Sequence, residues 1–215
     1  MIWFYTGTPG SGKSYHIARD IYRKLNHGGN VIANFPINTD VWLDKKGNNT
    51  CKGHFLFLNN PPSSEVSYCT LNPYFLVKYA QAFFPRDKRG RIKEGSCLLV
   101  FDEAQLVFNS RRWNETGRKE WISFFTQHRK FGYDIVFISQ VDRFIDRQIR
   151  GLFEYEVKHR NIKNFKLFGK LISKLTGGNL FVALTYWCGV KELESKEMFR
   201  GKKAVYELYE TDKIF

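Results

Sequence analysis

Apolar runs of four or five residues alternate along this chain with stretches whose apolar positions recur every fourth residue. Ile2-Trp3-Phe4-Tyr5 reads as a buried strand, and Lys13 to Leu25 sets Ile17, Ile21 and Leu25 on one helical face. His27-Gly28-Gly29-Asn30 ends that helix. Val31 to Phe35 is a second strand, stopped by Pro36. Strand, helix, strand in that order is a βαβ unit and predicts a parallel sheet. From Asp40 to Asn60 the pattern is irregular, with a short hairpin expected around Cys51 to Leu58 and a loop at Pro61-Pro62. Pro73 to Phe84 predicts a helix with proline near its start, and Arg86 to Arg91 a charged turn. Cys97 to Phe101 is continuously apolar, as a strand buried on both faces is. Glu115 to Lys130 carries Trp121, Phe124, Phe125 and His128 at helical spacing, and Asp134 to Ser139 is a further buried strand. No internal repeat or low-complexity segment interrupts this order, which excludes a solenoid.

With 215 residues, 43% of them hydrophobic and 17% aromatic, the chain can bury one sizeable core. Its 34 Lys plus Arg against 21 Asp plus Glu leave a net charge of +13, which favours anionic partners: nucleic acid, an anionic membrane surface or nucleotide phosphates. Cys51, Cys69, Cys97 and Cys188 form no CxxC pair and have no histidine at zinc-ligand spacing, so reduced thiols are expected rather than a metal site or disulfide framework. The first strand follows Met1 directly, which leaves no room for a signal peptide. The longest apolar stretch, Leu180 to Cys188, is far shorter than the ~20 residues of a bilayer crossing, so no membrane span is expected within these residues.

Two motifs turn this α/β pattern into chemistry. Gly7-Thr8-Pro9-Gly10-Ser11-Gly12-Lys13-Ser14 fits GxxxxGK[ST] and lies between a strand and a helix, the context in which such a loop cradles phosphates. The glycines let backbone N–H groups converge on phosphate oxygens, and the helix start at Lys13 adds its partial positive charge. Lys13 is placed to reach the β and γ phosphates, and the Ser14 hydroxyl to meet magnesium. Far downstream, the apolar run Leu98 to Phe101 ends in Asp102-Glu103. Successive residues at a strand end point apart, so Asp102 is assigned the magnesium role and Glu103 that of the base that polarises the attacking water. The second acid favours hydrolysis over small-molecule phosphorylation. The strand Ile135 to Ser139 ends in Gln140, a polar residue in the place where ATPases with the extra acid sense the γ-phosphate; an ordinary strand-end polar residue is the other reading.

These motifs resemble the N-terminal domain of the zonula occludens toxin and filamentous-phage assembly family. The likeness rests on the P-loop at the first strand, Asn34-Phe35-Pro36-Ile37, Phe101-Asp102-Glu103-Ala104-Gln105, and Gln127-His128-Arg129-Lys130-Phe131-Gly132-Tyr133-Asp134-Ile135 leading to Ser139-Gln140. It extends through Asp146 to Tyr155 and to a C-terminal strand expected near Tyr206 to Tyr209. The resemblance implies an inner-membrane-associated ATPase, related to FtsK-like pumps, that takes ATP and Mg2+ and powers extrusion of single-stranded phage DNA as coat protein is added. In that family a transmembrane segment usually follows the ATPase domain; none lies in these 215 residues, so the cytoplasmic face of the inner membrane would be reached through further chain or a partner.

Related motors are rings, hexamers among them, in which an arginine completes a neighbour's γ-phosphate site. Arg111, Arg112, Arg129, Arg143, Arg147 and Arg150 are the candidates, with Arg129 and Arg112 favoured as lying on the γ-phosphate side and a purely structural role open for each. From Val157 to Val190 there is no acidic residue. A helix over Phe165 to Leu175 would line Lys166, Lys170 and Lys174 on one face, either as part of a membrane-surface strip over residues 158–175 or as a solvated face, and DNA is a third occupant for that strip or for Arg86 to Lys93. The expected architecture is an α/β P-loop NTPase of RecA/FtsK-like type, with a mainly parallel central sheet flanked by helices and a strand-rich C-terminal extension. Residues 1–155 form the ATPase core in this reading, and 156–215 a basic extension packed on the same domain. Magnesium-dependent ATP hydrolysis driving phage assembly is the expected function. A DNA-translocating or conjugative motor of a mobile element, and a nucleotide-gated scaffold with little hydrolysis, fit the same residues.

Overall fold

The computed structural model describes residues 1–60, 70–111, 117–164 and 180–209. Among them, the strands β1 (Ile2–Thr6), β2 (Asn30–Ala33), β3 (His54–Phe57), β4 (Cys97–Phe101), β5 (Tyr133–Ile138), β6 (Tyr155–Asn161), β7 (Leu180–Trp187) and β8 (Glu192–Arg200) form one sheet in the order β3-β2-β4-β5-β1-β6-β7-β8. From β3 to β6 every pairing is parallel, while β6–β7 and β7–β8 are antiparallel. The fold is therefore α/β with a mainly parallel sheet and a strand-rich C-terminal part.

Side-chain alternation in the strands builds a core on each face of the sheet. Ile2, Phe4, Ile32, Leu99, Phe101, Ile135 and Phe137 point to one face, covered by helices α2 (Pro73–Phe83) and α4 (Arg118–Gln127). Tyr5, Val31, Ala33, Leu98, Val100, Val136 and Ile138 point to the other, covered by α1 (Lys13–Asn26). Ile17, Ile21 and Leu25 of α1 are all fully buried there, as their spacing predicts. On the α2/α4 face the Phe101 ring lies 5.1 Å from Phe108 and from Phe137, and 5.6 Å from Trp121, a cluster in which each ring buries on the order of 150–250 Å2.

Six short elements complete the description: α3 (Ala104–Val107), α5 (Arg147–Arg150), α6 (Lys203–Leu208), and 3-10 turns at Thr39–Trp42, Asp142–Phe144 and Ile162–Asn164. Two sequence expectations are corrected. The hairpin around Cys51 to Leu58 is instead the single strand β3, parallel to β2 with Val31 opposite Phe55; it is short, half-exposed and at the sheet edge, so its pattern resembles a turn region. The C-terminal strand near Tyr206 to Tyr209 is the end of helix α6, whose Val205 and Leu208 pack against α1 and the 39–42 turn. The α4 helix also ends earlier than expected, with His128 as its cap. The helix expected over Phe165 to Leu175 lies outside the described residues, as do Cys69, Arg112 and the first residues of the 115–130 stretch.

Candidate nucleotide site at the carboxyl edge of the sheet

Parallel strands bring their carboxyl ends to one edge, and β1 and β4 end there with β5 between them: Phe101 is opposite Phe137, and Tyr5 opposite Ile138. The loop that follows β1 and the acid pair that follows β4 thus converge, although some ninety residues of chain separate them.

The 7–14 loop is built by close approach. A Cβ at Gly7 would stand 2.6 Å from His159 O, and one at Gly12, whose φ is 99°, would stand 2.5 Å from Phe181 Cδ1. Gly7 has no room for a side chain against the β6 backbone, and Gly12 has none unless the Phe181 ring of β7 shifts. Gly12 caps α1 without any side-chain hydrogen bond, and the first turn holds no acid, so the open N–H groups and the dipole are left for an anion. Ser11 Oγ is buried with no hydrogen-bond partner among the described residues, a polar atom the loop itself does not satisfy. Lys13 Nζ folds back and donates to Gly7 O at 2.7 Å and Thr8 O at 3.2 Å. Burial lowers its pKa, opposed by the charges of Glu103 and Asp102, an electrostatic coupling between the two motifs.

Across the edge, Asn34 extends the β2–β4 ladder with its side chain: Oδ1 accepts from Asp102 N at 2.7 Å, and Nδ2 donates to Asp102 O at 2.8 Å. Asp102 is half-buried, and burial raises its pKa, partly offset by hydrogen bonds from the Tyr209 hydroxyl and Glu103 N–H. Glu103 is exposed and takes the left-handed conformation, φ 45° and ψ 47°, one of two non-glycine residues with positive φ among those described. That turn separates the two carboxylates: Asp102 faces inward while Glu103 reaches solvent, where Gln105 Nε2 hydrogen-bonds it. A non-glycine residue held there costs on the order of 1 kcal/mol, and such residues cluster at functional sites. The Tyr209 hydroxyl donates to Asp102 Oδ2, and Ser14 is among the side chains that act on that phenol, so the two residues lie around one ring. An uncapped helix start, an unsatisfied buried hydroxyl, a lysine, and a serine and an aspartate around one phenol fit a nucleoside triphosphate and its magnesium.

Gln140 follows β5 and so lies between the two motifs; its carbonyl accepts from Thr6 Oγ1 at 3.2 Å and its side chain is exposed. Arg129 is placed differently from the expectation. It precedes β5, at the amino edge of the sheet, ion-paired to Glu154, whose Oε1 accepts from Ile2 N; the strand length separates it from this chain's own loop. Arg111 and Arg143 lie on segments that leave the carboxyl edge, joined by the Asn109–Ile145 bridge, while Arg150 pairs with Asp142 at 3.3 Å.

Several contributors were not legible in the sequence. His159 Nδ1 lies 3.2 Å from Thr6 O, and its Nε2 lies 2.7 Å from His16 Nδ1. A neutral pair satisfies this chain: His159 donates to the carbonyl and accepts from His16. Burial pushes His16 down to about 2 and His159 down to about 4. Asp20, held by the Tyr5 hydroxyl at 2.8 Å, is pushed up by burial to about 6. Arg19 closes the cluster with a bidentate pair to Glu197 at 2.6 and 2.9 Å. The only signal for His159 was its place in a strand beside charged neighbours, and Tyr209 gave none beyond the likeness noted near Tyr206 to Tyr209.

The fold and the site together define the P-loop NTPase class. The sequence model of the family described as zonular occludens toxin (Zot) matches residues 1–210, and the chain belongs to that family. Among its curated relatives, the Gene 1 protein of Salmonella phage IKe is 28% identical over 223 residues, covering 100% of this chain and 57% of the relative. That of Enterobacteria phage M13 is 27% identical over 224 residues, covering 100% and 60%. The chain thus spans about six-tenths of the length of these relatives. Among solved structures, the N-terminal domain of zonular occludens toxin from Neisseria meningitidis aligns with TM-score 0.57 at 16% identity, over 97% of this chain and 98% of that one. The DNA-packaging ATPase B204 of Sulfolobus turreted icosahedral virus aligns with TM-score 0.51 at 16% identity, over 94% and 97%. At those identities the likeness shows the fold.

Proposed function

We propose that this chain is a magnesium-dependent ATPase that powers phage assembly and the extrusion of single-stranded DNA at the inner membrane. The observation that carries the chemistry is the convergence of the Lys13 loop and the Asp102-Glu103 pair at one sheet edge, with Glu103 turned out by its left-handed backbone. In this reading residues 7–13 cradle the phosphates through backbone N–H groups, and Lys13 leaves the Gly7 and Thr8 carbonyls for the phosphate oxygens. Ser14 and Asp102 would hold the magnesium, which would supply charge neutralisation when bound. Glu103 takes the proton of the attacking water, and Gln140 lies where the γ-phosphate would be sensed. The biological setting is supported by membership of the Zot family and by Gene 1 relatives from phages that cover the whole chain.

Oligomerisation into a ring is part of the proposal. Arg129 stands away from its own loop, so a role in hydrolysis would be exerted on a neighbour's site, and Arg111 and Arg143 are the alternatives near the carboxyl edge. Membrane association belongs to the proposal as well; among the described residues no helix is long and apolar enough to cross a membrane. Phosphate release tests the chemistry: Glu103→Gln is expected to lower turnover about 100-fold or more while nucleotide affinity stays within a few-fold of the original. Turnover that survives the substitution would remove Glu103 from the mechanism, and an unmodified protein that binds ATP without releasing phosphate would leave the nucleotide-gated scaffold.

A further inference from the structure

The hydroxyl of Tyr209 hydrogen-bonds Asp102 Oδ2 and lies beside Ser14, the two groups assigned to magnesium. A phenol has one proton to give, and here it goes to the aspartate. Its oxygen therefore stands in the space a cation would use to bridge the same two residues. Magnesium binds oxygen at about 2.0–2.1 Å in octahedral geometry and keeps several waters, so neither the ion nor its hydration shell fits on an aspartate oxygen already capped by a phenol.

The rest of the C-terminal segment is arranged to hold that contact. The Tyr209 ring packs edge-on against Phe35 at 4.9 Å, directly after the Asn34 that fixes Asp102. Asn38 N donates to Leu208 O at 2.9 Å, and Leu208 is fully buried. On the other side, Tyr15, the residue after Ser14, takes a 2.9 Å hydrogen bond from Lys202 N, donates to Arg200 O at 3.2 Å, and stacks on Phe181 and Phe199. Residues 200–209 thus touch both halves of the site.

We infer that Tyr209 is a gate on the metal position: its hydroxyl caps Asp102 beside Ser14 in the nucleotide-free protein and must withdraw before a nucleotide-bound divalent cation can take its place. This rests on the nucleotide reading of the site and adds a regulatory element to it. Nucleotide phosphates meet the 7–13 loop whether or not the hydroxyl has moved, so the gate acts on the metal-dependent part of binding.

The test is the magnesium dependence of ADP binding, read with a fluorescent ADP, for the unmodified protein and Tyr209→Phe, which keeps the ring on Phe35. Affinity in EDTA is expected to be equal in the two, and the magnesium concentration that gives half the full effect to fall roughly tenfold in the variant, the loss of one competing hydrogen bond to a carboxylate. In parallel, 3-fluorotyrosine placed at position 209 should shift its 19F resonance on adding ADP with magnesium and not on adding ADP in EDTA. Equal magnesium dependence with intact ADP binding, or a resonance unmoved by magnesium, overturns the gate while leaving the nucleotide site standing. Failure of both proteins to bind ADP under any condition overturns the site and the gate together.

Discussion

His159 shows how a residue outside the P-loop fixes its shape. Its carbonyl presses on Gly7, and its Nδ1 meets the carbonyl of Thr6, so the turn out of β1 is set by a strand far away in the chain. The ring is buried, its pKa pushed down to about 4 from an ordinary 6.5, and it faces His16, Tyr5, Lys13 and the Arg19 and Glu197 charges, with Asp20 beyond on His16 and Tyr5. A lowered histidine pKa means that the unfolded chain takes up protons the folded one refuses, so its contribution is full above pH 6.5 and declines as pH falls toward 4. Asp20 acts in the opposite sense: raised from 3.8 to about 6, it is protonated more readily in the folded chain and returns part of the loss below pH 6. With His16 lowered as well, two refusals outweigh one uptake. Thermal unfolding is expected at a lower temperature at pH 5.5 than at pH 7.5, with a smaller difference in His159→Gln. A melting temperature equal at both pH values would show that the pair is not kept neutral by the fold. Asn34 makes a related point: in the sequence it is only one residue of the Asn34-Phe35-Pro36-Ile37 likeness, and in the structure its amide pins Asp102 through two hydrogen bonds.

Among the elements, α1 and the loop before it are stiffened from the C-terminal strands. Gly12 lies on the Phe181 ring of β7, whereas a Cβ at Gly10 would meet nothing within 4 Å. Both have positive φ, which alone costs an ordinary residue about 1–2 kcal/mol. Gly12→Ala is expected to destabilise by a further ~1–3 kcal/mol relative to Gly10→Ala, because the added methyl must displace an aromatic ring in a filled core. Denaturant unfolding of the two variants measures that difference, and equal stabilities would mean that Phe181 yields without cost. The strands and helices that build this region were mostly legible: Cys97 to Phe101 occupies the predicted strand, and the four-residue spacing in α1 gave its buried face. The misread elements share a cause. His54–Phe57 is half-exposed at an edge and lacks a clear period, and Lys203–Leu208 is a helix of only six residues, too short to form by itself, whose helical state comes from packing on α1.

On the scale of the whole molecule, the sequence indicated which motifs were present but not which strands are neighbours. A glycine-rich loop and an acid pair are recognisable from local chemistry. That β5 separates β1 from β4, bringing Gln140 between them, and that Arg129 falls at the far edge, depends on strand order, which no local pattern encodes. Tyr209 was illegible for the same reason, since its partners lie 107 positions away at Asp102 and still farther at Ser14. The central claim is that Ser14 and Asp102 act on one cation shared with a nucleotide, and a double-mutant cycle reads it directly. Nucleotide affinity is measured with magnesium and with EDTA for the unmodified protein, Ser14→Ala, Asp102→Asn and the double variant. The account predicts that each single substitution removes most of the tightening by magnesium, that the double variant loses little more than either, and that affinity in EDTA is retained throughout. Independent, additive losses, or full magnesium tightening in Asp102→Asn, would contradict it.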